Sequence, residues 1–396
     1  MDTELIEKIA EKVGGRTSFL LGAGASAAVG LPTMVSFLDK SYGEGFVKEI
    51  INGKQYVINA STIDQVSSNE VAMAMRLFQT AGLNAQKPPV DLEELFQFIH
   101  KSKVLKTDTD TIKALLWMFR TCSEGQGWNY NQYKEQYRNY SSSLDRWMSD
   151  FQKTITNLRE RMYQSFLIDQ SASEILKKAK ANQNLLRRID NSKTTIFTTN
   201  FDTIYEALAV DEGIFLNDGF GKERNPLFKL TNFLRDDSGS DAINYFKIHG
   251  SVTWHRNGNG QVRDCFPMIP KNVALLEPVL SKTPNELPFT DIYKIFEKVL
   301  SKNEVCVSIG FSFRDDMVRN IIEKQLNSST TFRLIIVAPE EKEHPQLNEH
   351  LQRLSSQRGV FWIKKFWGSD EVVDEILNTM NIRLPIGKLS LNDGQS

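Results

Sequence analysis

At 396 residues, 40% of them hydrophobic and 24% charged, the chain is long enough for one large domain or two moderate ones around a sizeable core. Its 48 Lys and Arg against 49 Asp and Glu give a formal net charge of -1, which excludes a whole-protein electrostatic grip on nucleic acid. The three cysteines, Cys122, Cys265 and Cys306, form no CxxC pair and there are only five histidines, so a zinc ribbon, a redox dithiol and a multi-histidine metal centre are not expected.

In chain order, MDTELIEKIAEK reads as a charged amphipathic helix with no apolar signal core, and no run is long and apolar enough to span a membrane, so a cytoplasmic location is expected. A buried strand at 18–21 then runs into GAGASA, Gly22 to Ala27. Residues 36–193 offer almost no strand and repeated helical periodicity, and are read as a helical insert. Inside it, Asp91-Leu-Glu-Glu94 opens one helix as a cap with a glutamate three residues on. The stretch GWNYNQYKEQYRNY, 127–140, reads as an exposed helix face with scattered tyrosines rather than a nucleic-acid platform, and direct nucleic-acid binding is not expected. Further strands are expected at 194–198, 245–248, 305–309, 333–337 and 360–363, with helices at 289–300 and 316–326 between them and a turn at 256–260. This alternation predicts an α/β, Rossmann-like doubly wound parallel sheet of about six strands. It divides the chain into 1–35 with the first strand and glycine loop, the insert at 36–193, the rest of the core at 194–385 and a flexible tail at 386–396.

The glycine-rich turn satisfies G-x-G-x-x-G/A after a strand, a weak pattern on its own. A nicotinamide dehydrogenase would place a second strand about 20 residues on, ending in an acid for the ribose, where this chain begins its insert. A P-loop would end in Gly-Lys-Ser/Thr, whereas Val29-Gly30-Leu31-Pro32 has no lysine. Three more motifs fall at the carboxyl ends of later strands, where open α/β sheets bind ligands: TTNFD at 198–202, IHGS at 248–251 and GFSFRDD at 310–316. With GAGAS and the trailing Gly30-Leu-Pro32, this ordered set resembles the sirtuin family over about residues 17 to 340. The deacylases of that family carry a four-cysteine zinc module between the HG and GxS motifs, where this chain has Cys265 alone, and Thr33-Met34-Val35 replaces their usual aspartate-phenylalanine-arginine. What remains resembles the zinc-free sirtuin-like proteins of bacterial antiviral defence, which break NAD into nicotinamide and ADP-ribose.

That resemblance implies a site. Asn200 would position ribose hydroxyls and a water near the anomeric carbon, and His249 would act as general base at cellular pH. Alone, a histidine at a strand end is more often structural; the accompanying motifs reverse that reading, and His100, His255, His344 and His350 have no such company. Ser26 with the turn residues Gly22, Ala23 and Gly24 would hold the diphosphate at a helix N-terminus, Thr199 would line the same pocket, and Gly310, Phe311 and Ser312 would meet the adenosine ribose. Asp202 would orient the carboxamide or the Asn200 loop, or cap the helix after it; Asp315 and Asp316 read as caps of the helix starting near Met317.

The expected function is NAD+ hydrolysis, with NAD as substrate, no zinc, and NAD depletion in antiphage defence. The alternatives are an NAD-dependent protein deacylase or ADP-ribosyltransferase using the same pocket, and a non-catalytic NAD or ADP-ribose sensor. The resemblance also implies control by assembly, through homo-oligomers or beside a HerA-type ring ATPase, with no membrane partner and with the insert as the contact surface.

Overall fold

The structure, a computed structural model, describes residues 3–31, 46–51, 54–59, 163–189, 194–221, 226–235, 242–276, 284, 286–340 and 345–381. The expectations at 91–94, at 127–140, for Cys122 and for the 386–396 tail lie outside them. The chain divides into two compact units: Met1–Thr33 with Ser165–Glu277 and Ser281–Ser396, and Met34–Gln164 with Pro278–Leu280.

In the first unit, helix α1 (Thr3–Val13) leads into strand β1 (Thr17–Leu21) and the short helix α2 (Ala23–Ala27). In the second unit, β2 (Phe46–Ile51) pairs antiparallel with β3 (Lys54–Asn59), where the sequence reading expected almost no strand. The reason is local: Val47, Ile50, Ile51, Val57 and Ile58 favour extended backbone, and the intervening Asn52-Gly53 is the dipeptide most favoured between hairpin strands.

The first unit continues with α3 (Ser173–Lys178), α4 (Lys180–Arg188), β4 (Thr194–Thr198), α5 (Ile204–Glu212), β5 (Leu216–Asn217), β6 (Ile243–Lys247), β7 (Gly250–Arg256), β8 (Val262–Asp264) and β9 (Val273–Leu275). It ends with α6 (Phe289–Lys302), β10 (Val305–Ile309), α7 (Asp316–Ser328), β11 (Arg333–Val337), α8 (Pro345–Ser355), β12 (Val360–Ile363) and α9 (Asp370–Asn381). Seven strands form one sheet in the order β12-β11-β10-β1-β4-β6-β5, every pair parallel. This is the expected doubly wound α/β fold, with one strand more than the reading anticipated: β5 is a two-residue edge, too short to register as a hydrophobic run.

Both faces of the sheet are covered, which is why its strands are apolar throughout rather than alternating. Leu20, Phe197, Phe246 and Leu334 point into one core with Ile9 of α1 and Phe296 of α6. Phe19, Ile196, Tyr245 and Ile335 point into the other with Leu185 of α4, Leu208 of α5 and Val373 of α9. Each such side chain contributes about 1.5–3 kcal/mol on burial. Ala181, Leu185 and Leu186 belong to this second core, so α4, in the first unit, packs on the sheet.

Asn182 of α4 is fully buried, and its three hydrogen bonds tie distant elements together. Its Nδ2 donates to the Ala25 carbonyl of α2 (3.1 Å) and the Tyr205 hydroxyl (3.1 Å), and its Oδ1 accepts from Trp367 Nε1 (3.1 Å). Asn182→Ala would strand three buried polar groups, each costing about 1–3 kcal/mol, so denaturant unfolding should show a loss above about 2 kcal/mol; a change within about 0.5 kcal/mol would contradict this role.

At the β5 edge, burial pushes the Asp218 carboxyl up to about 8, with the nearby charges of Asp264 and Glu206 acting in the same direction, although its Oδ1 accepts from Phe220 N–H at 3.0 Å. Its folded value lies above its unfolded one, so between about pH 4 and pH 8 the folded chain holds a proton the unfolded chain lacks, and this group's contribution to stability falls as pH rises through that window. Asp218→Asn keeps the acceptor and removes the titration. It should raise the melting temperature at pH 8 more than at pH 5; an equal effect at both would contradict the assignment.

Candidate active site

Four neighbouring strands, β10, β1, β4 and β6, end side by side, and their carboxyl ends carry GFSFRDD, GAGAS, TTNFD and IHGS respectively. From β1 the chain crosses to β4 on one side and later to β10 on the other, so the strand order reverses between β1 and β10, where open α/β sheets place their ligands. There the two turns touch backbone to backbone: Gly22 N–H donates to the Ile309 carbonyl and Gly24 N–H to the Gly310 carbonyl, both at 2.9 Å. A Cβ on Gly22 would lie 2.5 Å from Phe311 Cα and one on Gly24 2.7 Å from Gly310 Cα, while Gly310 itself sits at φ +62°. The glycines are therefore required by loop-on-loop contact.

That contact changes the expected diphosphate cradle. The N–H groups of Gly22 and Gly24 are donated to Ile309 and Gly310 at the end of β10 and that of Ala25 to the Gly22 carbonyl (2.9 Å), so all three are used inside the protein, while Ala23 between them is half-buried. Ser26 is buried and its hydroxyl is used inside the protein: it accepts from Asn200 Nδ2 at 3.0 Å and hydrogen-bonds the Asp202 carboxylate.

Asn200 is buried at the end of β4, its backbone N–H donating to Thr198 Oγ1 at 3.0 Å. Both protons of its side-chain amide are spent, one on the Gly22 carbonyl (2.9 Å) and one on Ser26, which fixes the plane of the amide and the direction of Oδ1. Thr199, half-buried, donates from its N–H to the Leu21 carbonyl at 3.0 Å. Asp202 is buried and accepts from Ile204 N–H at 3.2 Å, so it fastens the start of α5 as well as Ser26. Burial raises its carboxyl above the ordinary range, while Lys247 and the Ser26 hydroxyl draw it back down. Lys247, itself buried at the end of β6, donates to the Asp202 carbonyl and pairs with Glu206 at 2.7 Å. The loop is also held from outside: Thr203 N–H donates to the Phe166 carbonyl at 3.1 Å and Val252 N–H to the Phe201 carbonyl at 3.1 Å.

His249 follows β6 and is 3% exposed. Its Nε2 lies 2.8 Å from Asp315 Oδ2 and 3.1 Å from the Tyr293 hydroxyl of α6, and that hydroxyl reaches the same Oδ2 at 3.4 Å. Asp315 caps α7 as read from the sequence, Oδ1 accepting from Val318 N–H at 3.0 Å, and its second oxygen faces the imidazole. Burial and the Asp315 charge push the Tyr293 phenol well above its ordinary range, so it stays a neutral donor. The loop delivering Asp315 passes through Phe313, fully buried at φ +59°, a left-handed conformation that costs a non-glycine residue about 1–3 kcal/mol. Phe311 stacks edge-on to that ring at 5.0 Å, and Ser312 lies half-buried between them. Gly250, after the histidine, is at φ +82° with its missing Cβ 2.4 Å from the Ala274 carbonyl, which lets β9 close over the loop.

Sequence reasoning missed Tyr293, Lys247, Asn182 and the second role of Asp315. A tyrosine on a helical stripe and a lysine at a strand end have no local signature. Directly after the HG motif the chain forms an antiparallel sheet, β8-β7-β9, in which Thr253 Oγ1 donates to Asp264 at 2.7 Å, and Trp254 stacks on Phe289 of α6 at 6.4 Å. Among the described residues no group of three or more His, Cys, Asp or Glu side chains is placed to hold a metal ion, and no helix is long and apolar enough to cross a membrane.

Solved structures similar to the chain include two Sir2 homologue variants, each in an ADP-ribose complex, at 14% and 13% identity with TM-scores of 0.36 and 0.37, both covering 97% of this chain and 100% of theirs. A Sir2 homologue–NAD complex matches at 13% identity and TM-score 0.35 over 96% of this chain and 93% of that one. At such scores the fold assignment rests on the strand order above. No curated protein matches. Residues 194–363, less than half of the chain, match the family model described as SIR2-like domain, a stretch that holds the Asn200, His249 and Asp315 loops and begins after the glycine turn.

Proposed function

We propose that the protein is an NAD+ glycohydrolase that splits the nicotinamide–ribose bond. The observation that carries this reading is the arrangement of four motif loops on four adjacent parallel strand ends around the reversal in strand order, with Asn200 and His249 on the neighbouring strands β4 and β6. The dinucleotide would lie across that crevice, its diphosphate against Ala23 and its adenosine ribose toward Ser312. The pyridinium is a good leaving group: the C1′–N bond breaks, its electron pair neutralises the ring nitrogen, and an oxocarbenium-like centre is left on the ribose. Asn200 Oδ1 accepts a hydrogen bond from the attacking water, whose oxygen bonds to C1′ while its proton passes to His249. The products are nicotinamide, ADP-ribose and a proton.

The same reading gives the enzyme a defensive role, NAD depletion in an infected cell, without zinc. Unrestrained NAD cleavage would harm the host, so activity is held by assembly, with copies of itself or with a HerA-type ring ATPase. The test is chromatography of products after incubation with NAD, alone and after co-expression with candidate ATPase partners, with and without an acylated peptide. Nicotinamide and ADP-ribose without peptide are expected; peptide-dependent turnover would favour the deacylase, and no nicotinamide under any condition the sensor. His249→Ala should slow turnover by on the order of 10²–10⁴ while leaving NAD binding within about threefold. Asn200→Ala should be similarly slow; full turnover in either variant would overturn its role.

A further inference from the structure

We propose that Asp315 is the positioning residue for His249: its carboxylate fixes the imidazole with the proton on Nε2 and the basic lone pair on Nδ1, and raises its affinity for a second proton, with Tyr293 as the clamp between them. The inference rests on the hydrolase reading for its kinetic consequence, although the geometry stands apart from it. Asp315 Oδ2 lies 2.8 Å from Nε2, and both side chains are about 5% exposed or less. A carboxylate accepts only, so Nε2 must carry hydrogen to meet it. The Tyr293 hydroxyl donates to the same Oδ2 and sits 3.1 Å from Nε2, closing a three-membered cluster.

The supporting structure is more elaborate than a helix cap requires. Capping α7 needs one oxygen, and Oδ1 supplies it. The second oxygen is brought to the imidazole by the left-handed turn at Phe313, whose carbonyl is held by Arg319 Nη1 at 2.8 Å. Three elements converge on the ring: Tyr293 from α6, Asp315 from the start of α7, and Phe201 after β4, its ring centroid 6.1 Å away. Tyr293 and Asp315 are titratable groups within hydrogen-bonding distance of it. Tyr293 stays neutral, and Asp315 sets a carboxylate 2.8 Å from Nε2.

Water attack on C1′ releases a proton, and a base flanked by a buried carboxylate can hold it as an imidazolium until product leaves. The balance is simple: the water O–H bond breaks, the new C1′–O bond forms, and the proton sits on Nδ1 with Asp315 offsetting its charge.

The test is Asp315→Asn, which keeps the Oδ1 cap and removes the charge, with Tyr293→Phe as a second variant. In Asp315→Asn, kcat should fall by on the order of 10²-fold with KM within about threefold. The acid limb of kcat/KM should move down by about one pH unit or more, because a base without its anionic partner gives up its proton more readily. Tyr293→Phe should move the limb in the same direction by less. An Asp315→Asn enzyme with the wild-type limb would make Asp315 a cap only and overturn the proposal. Nitrogen-15 histidine spectra of the full chain provide a readout independent of turnover. The proton on Nε2 of His249 in the wild type, and its loss as the dominant form in Asp315→Asn, are expected; a proton on Nδ1 in the wild type would overturn the inference. If the wild type releases no nicotinamide, the hydrolase reading fails and the spectra still decide this one.

Discussion

The contact between two turns at the centre of the sheet governs the rest of the site. Gly22 and Gly24 on one side and Gly310 on the other let the backbone after β1 lie against the backbone after β10, with missing Cβ atoms whose places are taken by main chain. The contact draws the GFSFRDD loop in over the strand ends and orients the Gly22 carbonyl toward the amide of Asn200. From there Ser26 bridges Asn200 to Asp202, and Lys247 anchors the Asp202 backbone to α5. A side chain larger than hydrogen at any of the three glycines would part the turns and disturb this chain of contacts at its origin.

The site is polar and buried, which is expensive unless each group has a partner. Asn200 spends its donors inside the protein and keeps an acceptor; His249 meets an acid that also caps a helix; Asp202 holds a hydroxyl, an amide and a lysine field. Such satisfaction fixes the orientations of these side chains before any ligand arrives.

Much of the fold was legible in the sequence, because strands buried on both faces are continuous apolar runs: 305–309, 333–337 and 360–363 have the bounds the pattern indicated. The strand read at 245–248 begins two residues earlier at Ile243, and Leu216–Asn217 at the edge is too short to show a pattern. No strand was read at β7, although Val252, Thr253 and Trp254 in it favour extended backbone. In the candidate site, Asn200 and His249 were singled out through motif order. The use made of them was not, since a hydrogen bond across 66 residues between His249 and Asp315 leaves no local trace. Ser26 shows the converse: its position at a helix start suggested phosphate, and its hydroxyl is turned inward to Asn200.

Whether these strand ends form a dinucleotide site is decided most directly by a crystal structure of the protein grown with ADP-ribose. Density is expected across the carboxyl ends of β10, β1 and β4, with the diphosphate at Ala23 and the distal ribose within hydrogen-bonding distance of Asn200 Oδ1. Ligand bound elsewhere, or a crevice that stays empty at millimolar ADP-ribose, would contradict that expectation.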